Sequence, residues 1–203
     1  MILIIDNTKN LNSSKMTPKL IKVIENLDLK YIIVSTKETL LTIIHNDRIF
    51  SKIIGIILSG GYFCLSNNCI YNDISKNIIT IMVFKNIPIL GICFGFQLLC
   101  DLYGGTVSKL PIKNEGIKQV DFSESKLTLL KNIDYPCSIY FSHFDYIEKG
   151  PLHFNLLKNK HNHIIGFENI EKQLFGFQFH PEGTNNGIKI IENFITLYCL
   201  SSL

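Results

Sequence analysis

Hydrophobic and polar positions change rhythm once along this chain. In the first half, short unbroken apolar runs rich in β-branched residues alternate with stretches whose apolar positions recur at helical spacing. Residues 2–5 ("ILII"), 31–35 ("YIIVS"), 53–61 ("IIGIILSGG") and 88–93 ("PILGIC") read as strands. "TPKLIKVIENL" predicts a helix with Thr17 as its N-cap and Pro18 at the first helical position. "KETLLTIIHN" and "ISKNIITIMVFKN" predict two more helices. Strands that are apolar throughout, separated by helices, argue for a parallel sheet covered on both faces.

The second half is different. "GIKQVDF", "SIYFSH", "IIGFEN" and "LFGFQFH" read as shorter strands in a mixed region. The chain closes on "NGIKIIENFITLYCL", apolar at Ile188, Ile191, Phe194, Ile195 and Tyr198, as a packing helix should be. No internal repeat, linker or low-complexity tail interrupts the pattern. The expectation is one α/β domain over residues 1–203: a mostly parallel central sheet flanked by helices, plus a small mixed β region. A length of 203 residues with 46% hydrophobic side chains suits one domain with a full core.

Charge narrows the choices. The net charge is +3, nearly all the basic residues are lysine, and Arg48 is the only arginine. A nucleic-acid surface would favour arginine forks, so no nucleic-acid partner is expected. "MILII" is too short for a signal segment and no apolar run approaches the ~18 residues of a membrane span, so a cytoplasmic protein without a membrane partner is expected. The six cysteines form no C-x-x-C pair and no His/Cys zinc spacing, so no metal is expected. Reduced cytosolic thiols account for five of them.

Cys93 is the sixth. It stands between Gly91 and Gly95, where a buried strand turns into the helix "FGFQLLCDLYGG". That is the geometry of a nucleophile elbow, which holds one side chain proud of the sheet while glycines allow strand and helix to approach closely. Backbone N–H groups and the positive dipole end at the helix start favour an anion. A thiol there is expected to act as a thiolate nucleophile, with the same N–H groups, Phe94's among them, stabilising an oxyanion. The bland alternative is a small buried residue with packing glycines.

A thiolate nucleophile needs a base, and the base needs an orienter. "FGFQFHPEG" supplies His180 and Glu182 two residues apart in an extended segment, so their side chains can project the same way. Pro181 biases His180 towards extended backbone. A carboxylate there can hold the imidazole tautomer and stabilise imidazolium. His45, His153, His161 and His163 lie in polar surroundings and read as solvated. "LSGG" at 58–61 could present backbone N–H groups to a ligand, although an ordinary strand-end turn explains it equally well.

Together "IILSGG", "PILGICFGFQLL…GG", "FGFQFHPEG" and the closing "GIKIIENFI" resemble the class I (triad-type) glutamine amidotransferase family, in that order and over essentially the whole chain. The resemblance implies a flavodoxin-like fold and hydrolysis of glutamine. Cys93 would form a γ-glutamyl thioester, His180 would shuttle the proton, and Glu182 would orient His180. The N–H groups of Gly61 and Phe94 would form the oxyanion hole. Gln97 would contact substrate, and the backbone around Ser142, His143 and Phe144 would hold its amino-acid end. No cofactor is implied in this chain. Ammonia would pass to an ATP-pyrophosphatase type synthetase, where ATP and Mg would bind.

Within the family, "SHFD" with His143 and Asp145, "NEG" at 114–116 and "FHPEGTNNG" resemble the branch that aminates XMP to GMP. A polar loop near the sheet edge is the competing account of His143 and Asp145. Two places depart from the family pattern: Tyr62 follows Gly61 where proline is usual, and the loop from Glu182 to Gly187 is shorter. Two other readings stand beside the first: a stand-alone γ-glutamyl hydrolase and a catalytically idle regulatory or binding subunit.

Overall fold

The computed structural model describes residues 1–8, 15–35, 37–61, 65, 79 and 86–201, with 37 and 38 described by backbone alone. Among the described residues, nine strands form one sheet: β1 Ile2–Asn7, β2 Tyr31–Val34, β3 Gly55–Gly61, β4 Ile89–Ile92, β5 Thr106–Val120, β6 Cys137–Lys149, β7 Asn155–Lys158, β8 Ile164–Asn169 and β9 Leu174–Phe177. The order is β2-β1-β3-β4-β9-β8-β6-β5, with β7 paired to β8. Pairing is parallel from β2 through β9 and antiparallel beyond.

The parallel half has the character its apolar runs predict. Strand β3 is buried at every position but its last, and β4 at every position. Alternation along the pleat separates two cores. Ile57, Leu90 and Ile92 join one core with Leu20, Ile24, Ile190, Ile191 and Phe194, from helices α1 (Thr17–Asn26) and α5 (Asn185–Phe194). Ile56, Leu58 and Ile89 join the other with Leu40, Phe50, Phe96 and Leu99, from α2 (Lys37–Ile44), α3 (Asp47–Phe50) and α4 (Phe94–Leu102). Burying both faces gives a strand no polar side to display, which is why these runs are continuous.

Several local expectations change. Thr17 is the first residue of α1 and the N-cap is Met16. The Thr17 hydroxyl turns inward and donates to the buried Asp6 carboxylate at 3.2 Å. "GIKQVDF" and "SIYFSH" are not short strands but the ends of a long ribbon, 15 residues of β5 against 13 of β6. Its register slips between Lys109 and Asn114. Pro111 lies in that gap, where it has no N–H to give a ladder. Strand β5 is an edge with no fully buried position, so it lacks the apolar alternation that marks a strand with one face in the core. The closing helix ends at Phe194 and continues as a π-helical turn, Ile195–Cys199. The helix expected over "ISKNIITIMVFKN" lies outside the described residues apart from Ile79 and Asn86, as do Tyr62, Cys64 and Cys69. No helix among the described residues is long and apolar enough to cross a membrane.

Candidate active site

Strand β4 ends at Ile92 and α4 begins at Phe94, so Cys93 alone makes the corner. Its backbone sits at φ 52°, ψ −101°, in the left-handed half of conformational space. Such a conformation costs roughly 1–3 kcal/mol and persists where surrounding structure enforces it. The flanking glycines provide that enforcement. A Cβ on Gly91 would stand 2.7 Å from the Gly95 carbonyl group, and one on Gly95 would collide with the carbonyl of Leu58 in β3. The Cys93 N–H donates to the Phe177 carbonyl at 2.8 Å, and its own carbonyl accepts from Gln97 N–H at 3.0 Å. The corner is therefore clamped to β9 on one side and to α4 on the other.

Beyond β9 the chain stays extended, and "FQFH" alternates across it. Phe177 and Phe179 enter the core, while Gln178 and His180 turn towards Cys93. His180 is fixed by its N–H donating to the Tyr140 carbonyl of β6 at 2.8 Å. The sequence then turns through Pro181–Gly183, which returns Glu182 to the ring. His180 Nδ1 lies 2.9 Å from Glu182 Oε1, and both residues are buried. That contact leaves Nε2 as the nitrogen available to the sulfur, and the His180 ring and the Cys93 side chain lie beside the same position of β3, Gly60. Burial disfavours a charged ring, but the Glu182 carboxylate and the Cys93 sulfur outweigh it and hold His180 well above the ordinary histidine value. The arrangement favours an imidazolium beside the Cys93 sulfur, backed by a carboxylate.

The other predicted residues gather around this centre in different ways. Gln97, on α4, is buried and donates from Nε2 to the Asp145 carbonyl at 2.9 Å and to Gln178 Oε1 at 3.1 Å. The Ser142 carbonyl lies 3.8 Å from Cys93 Sγ. The Ser142 hydroxyl donates to Glu115 at 3.3 Å, and Glu115 also pairs with Lys113 at 2.8 Å. Phe144 turns outward, half-exposed, with Lys109 over its ring. Gly61 ends β3, whose Leu58 pairs with Gly91 of β4, and Phe94 opens α4.

His143 is not in a polar loop but within β6, buried and fully engaged. Its Nδ1 lies 2.8 Å from the Asp145 carbonyl, an acceptor only, so Nδ1 carries the proton. Its Nε2 then accepts from Asn114 Nδ2 at 2.9 Å. Burial is the main reason this histidine is pushed down to about 4. Two histidines in one site are thus driven in opposite directions.

Sequence reasoning missed Gln178, whose amide Nε2 lies 3.8 Å from Cys93 Sγ. Its signal was there: a polar residue within an apolar strand end, in phase with His180. It also missed the Asp6 cluster. Asp6 accepts hydrogen bonds from Thr8, Thr17 and Ser59, and Asn7 binds Ser59 through both its backbone and its side chain, tying the ends of β1 and β3 together just before Gly60. An acid closing an apolar strand was the clue. No group of three His, Cys, Asp or Glu residues that could hold a metal occurs among the described residues.

Comparison with known proteins adds a second line of argument. A family model for class I glutamine amidotransferases matches residues 3–197. A glutamine-hydrolysing GMP synthase of Fusobacterium nucleatum is 32% identical over 143 residues, covering 70% of this chain and 27% of that protein. One from Petrotoga mobilis is 35% identical over 159 residues, covering 76% and 30%. The chain therefore spans less than a third of the length of these curated relatives. Among solved structures, a Thermoplasma acidophilum protein provisionally named as a GMP synthase subunit superposes with a TM-score of 0.76 at 23% identity, covering 99% of this chain and 94% of that one. That last likeness concerns the fold.

Proposed function

The chain belongs to the class I glutamine amidotransferase family, and from that premise we propose that it hydrolyses glutamine to glutamate and ammonia through Cys93, His180 and Glu182. The observation that carries the reading is the convergence of these three buried side chains, the first on an elbow and the other two on one short turn. The Cys93 thiolate attacks the side-chain carbonyl carbon, and the electron pair displaced onto oxygen is received by the N–H groups of Gly61 and Phe94. As the adduct collapses the C–N bond breaks, and His180 gives its Nε2 proton to the departing nitrogen, which leaves as ammonia. A γ-glutamyl thioester remains. Neutral His180 then takes a proton from water, whose oxygen attacks the thioester. The C–S bond breaks, and glutamate, thiolate and imidazolium are restored. Gln97 and the backbone of Ser142, His143 and Phe144 hold the amino-acid end of the substrate. No cofactor takes part in these steps.

We assign the ammonia to a separate synthetase of the ATP-pyrophosphatase type, one that converts XMP to GMP. Support comes from the names of the curated relatives, which are glutamine-hydrolysing GMP synthases. The test is ammonia release from glutamine by this protein and by Cys93→Ala, with and without the ATP-binding part of a GMP synthetase, ATP and XMP. Cys93-dependent release that rises with the synthetase is the expected result. Release indifferent to the synthetase would indicate a stand-alone γ-glutamyl hydrolase. No release, with no labelling of Cys93 by a glutamine-analogue electrophile, would leave only a binding role and overturn the proposal.

A further inference from the structure

We propose that Gln178 is a positioning residue for the nucleophile: it presents an amide N–H to the Cys93 sulfur in an orientation dictated by Gln97. This rests on Cys93 being the nucleophile and concerns how the sulfur is held ready.

The direction of the amide follows from a chain of contacts that begins at an unambiguous acceptor. The Asp145 carbonyl can only accept, so the Gln97 group 2.9 Å from it is the NH2. The same Nε2 lies 3.1 Å from the Gln178 side chain, which must therefore offer its oxygen there. The Gln178 nitrogen is then left facing the sulfur at 3.8 Å. Flipping Gln97 would set oxygen against oxygen at both of its links, and flipping Gln178 would set donor against donor where it meets Gln97. Gln178 is fully buried, so no bulk water competes for that N–H. Its backbone is fixed as well, with its N–H bonded to the Ile165 carbonyl at 3.0 Å. The preceding residue, Phe177, already holds the Cys93 N–H through its carbonyl. One dipeptide thus grips both the backbone and the side chain of the cysteine.

The chemistry is complementary. The Ser142 carbonyl, 3.8 Å from the sulfur on the β6 side, accepts from a thiol but repels a thiolate. A donor from Gln178 offsets that repulsion. Its bond to sulfur is strong when the sulfur is an anion and weak in the thioester, so it also favours the sulfur as leaving group when water attacks. Among the described residues, the other charged or titratable groups around the sulfur are His180, backed by Glu182, and the neutral His143 of β6.

The test is the pH dependence of Cys93 alkylation by iodoacetamide, read by mass on the Cys93 peptide with Cys93→Ala as blank, together with kcat and KM for glutamine. Gln178→Met fills the space without a donor. Gln178→Glu keeps the shape and an acceptor for Gln97 but sets a carboxyl oxygen against the sulfur. In Gln178→Met the midpoint of the alkylation curve should rise by about one pH unit, with kcat about tenfold lower and KM within about twofold. In Gln178→Glu the rise should be larger, and thermal unfolding shows which variants are folded. If Gln178→Met does not fold, Gln178→Glu decides. Midpoints matching the unaltered protein in the folded variants would overturn the inference while leaving the proposed activity intact. A protein whose ammonia release does not depend on Cys93 would overturn both.

Discussion

The Cβ that Gly60 lacks would stand 2.7 Å from Cε1 of His180 and 3.6 Å from Cβ of Cys93. The glycine end of β3 is thus part of the wall against which the imidazole rests. The ring cannot retreat freely, because Nδ1 is tied to Glu182. In Gly60→Ala the ring is therefore displaced from the sulfur by a fraction of an ångström to an ångström. Displacements of that size cost about 100-fold in rate, so kcat/KM for ammonia release should fall by roughly that factor. Thermal unfolding should move little, since only a side-chain end has to yield. A variant with unaltered kcat/KM would mean that the ring position does not matter.

The elbow predicts the opposite balance. At Gly95 the added Cβ meets backbone, the Leu58 carbonyl and, at 2.6 Å, the Leu58 Cβ, in a strand buried on both faces. Backbone in the middle of a sheet has nowhere to go. Gly95→Ala should lose about 3 kcal/mol or more of stability, measured by chemical denaturation, or fail to fold. A mild effect would show that β3 and α4 are less closely packed than the elbow requires.

The parts of this protein that were legible in its sequence are those where one physical cause dominates. Continuous apolar runs announced β1, β3 and β4 because burial on both faces leaves few polar positions, and β2, half-buried at the sheet edge, by its β-branched run. The pair His180 and Glu182 could be placed together because two residues in extended backbone share a face. The Gly91–Cys93–Gly95 spacing was readable because only a close strand–helix approach explains both glycines. What escaped depended on partners distant in sequence. Thr17 looked like a cap until Asp6 claimed its hydroxyl. Strand β5 was hard to see because an exposed edge has no pattern to keep. Gln178 looked like an ordinary strand residue until Cys93, 85 positions away, came to face it.

Glu182 offers a test of charge as distinct from shape. Its Oε1 meets His180 Nδ1, while Oε2 is buried without a hydrogen-bond partner among the described residues. Glu182→Gln keeps an oxygen for the Nδ1–H and nearly the same volume, so the fold should survive. What disappears is the negative charge, a leading reason that His180 holds its proton. The neutral ring should then become the dominant form at a lower pH than before, and ammonia release should fall by about 100-fold at neutral pH. The ring titration can be followed by NMR of labelled histidine. A variant whose His180 titrates as in the unaltered protein would show that the carboxylate acts by shape alone.

His143 makes the stability of the fold depend on pH with a defined sign. It is neutral in the folded protein, pushed from 6.5 down to about 4, and its Nε2 already accepts from Asn114. Below pH 6.5 the unfolded chain takes up this proton and the folded one does not, so stability rises with pH between about 4 and 6.5. The contribution is present in full above 6.5 and lost as the pH falls, up to about 3 kcal/mol in all. His180 does not confuse this window. Its folded value is raised, so its contribution is whole below 6.5 and is lost only as the pH climbs through that higher value. His143→Gln keeps a donor for the Asp145 carbonyl but has nothing to titrate. Urea unfolding at pH 7 and pH 5 should show the unaltered protein losing about 2 kcal/mol relative to His143→Gln. Parallel losses in both proteins would mean that His143 accepts a proton in the folded state, and that the Asn114 contact does not hold it neutral.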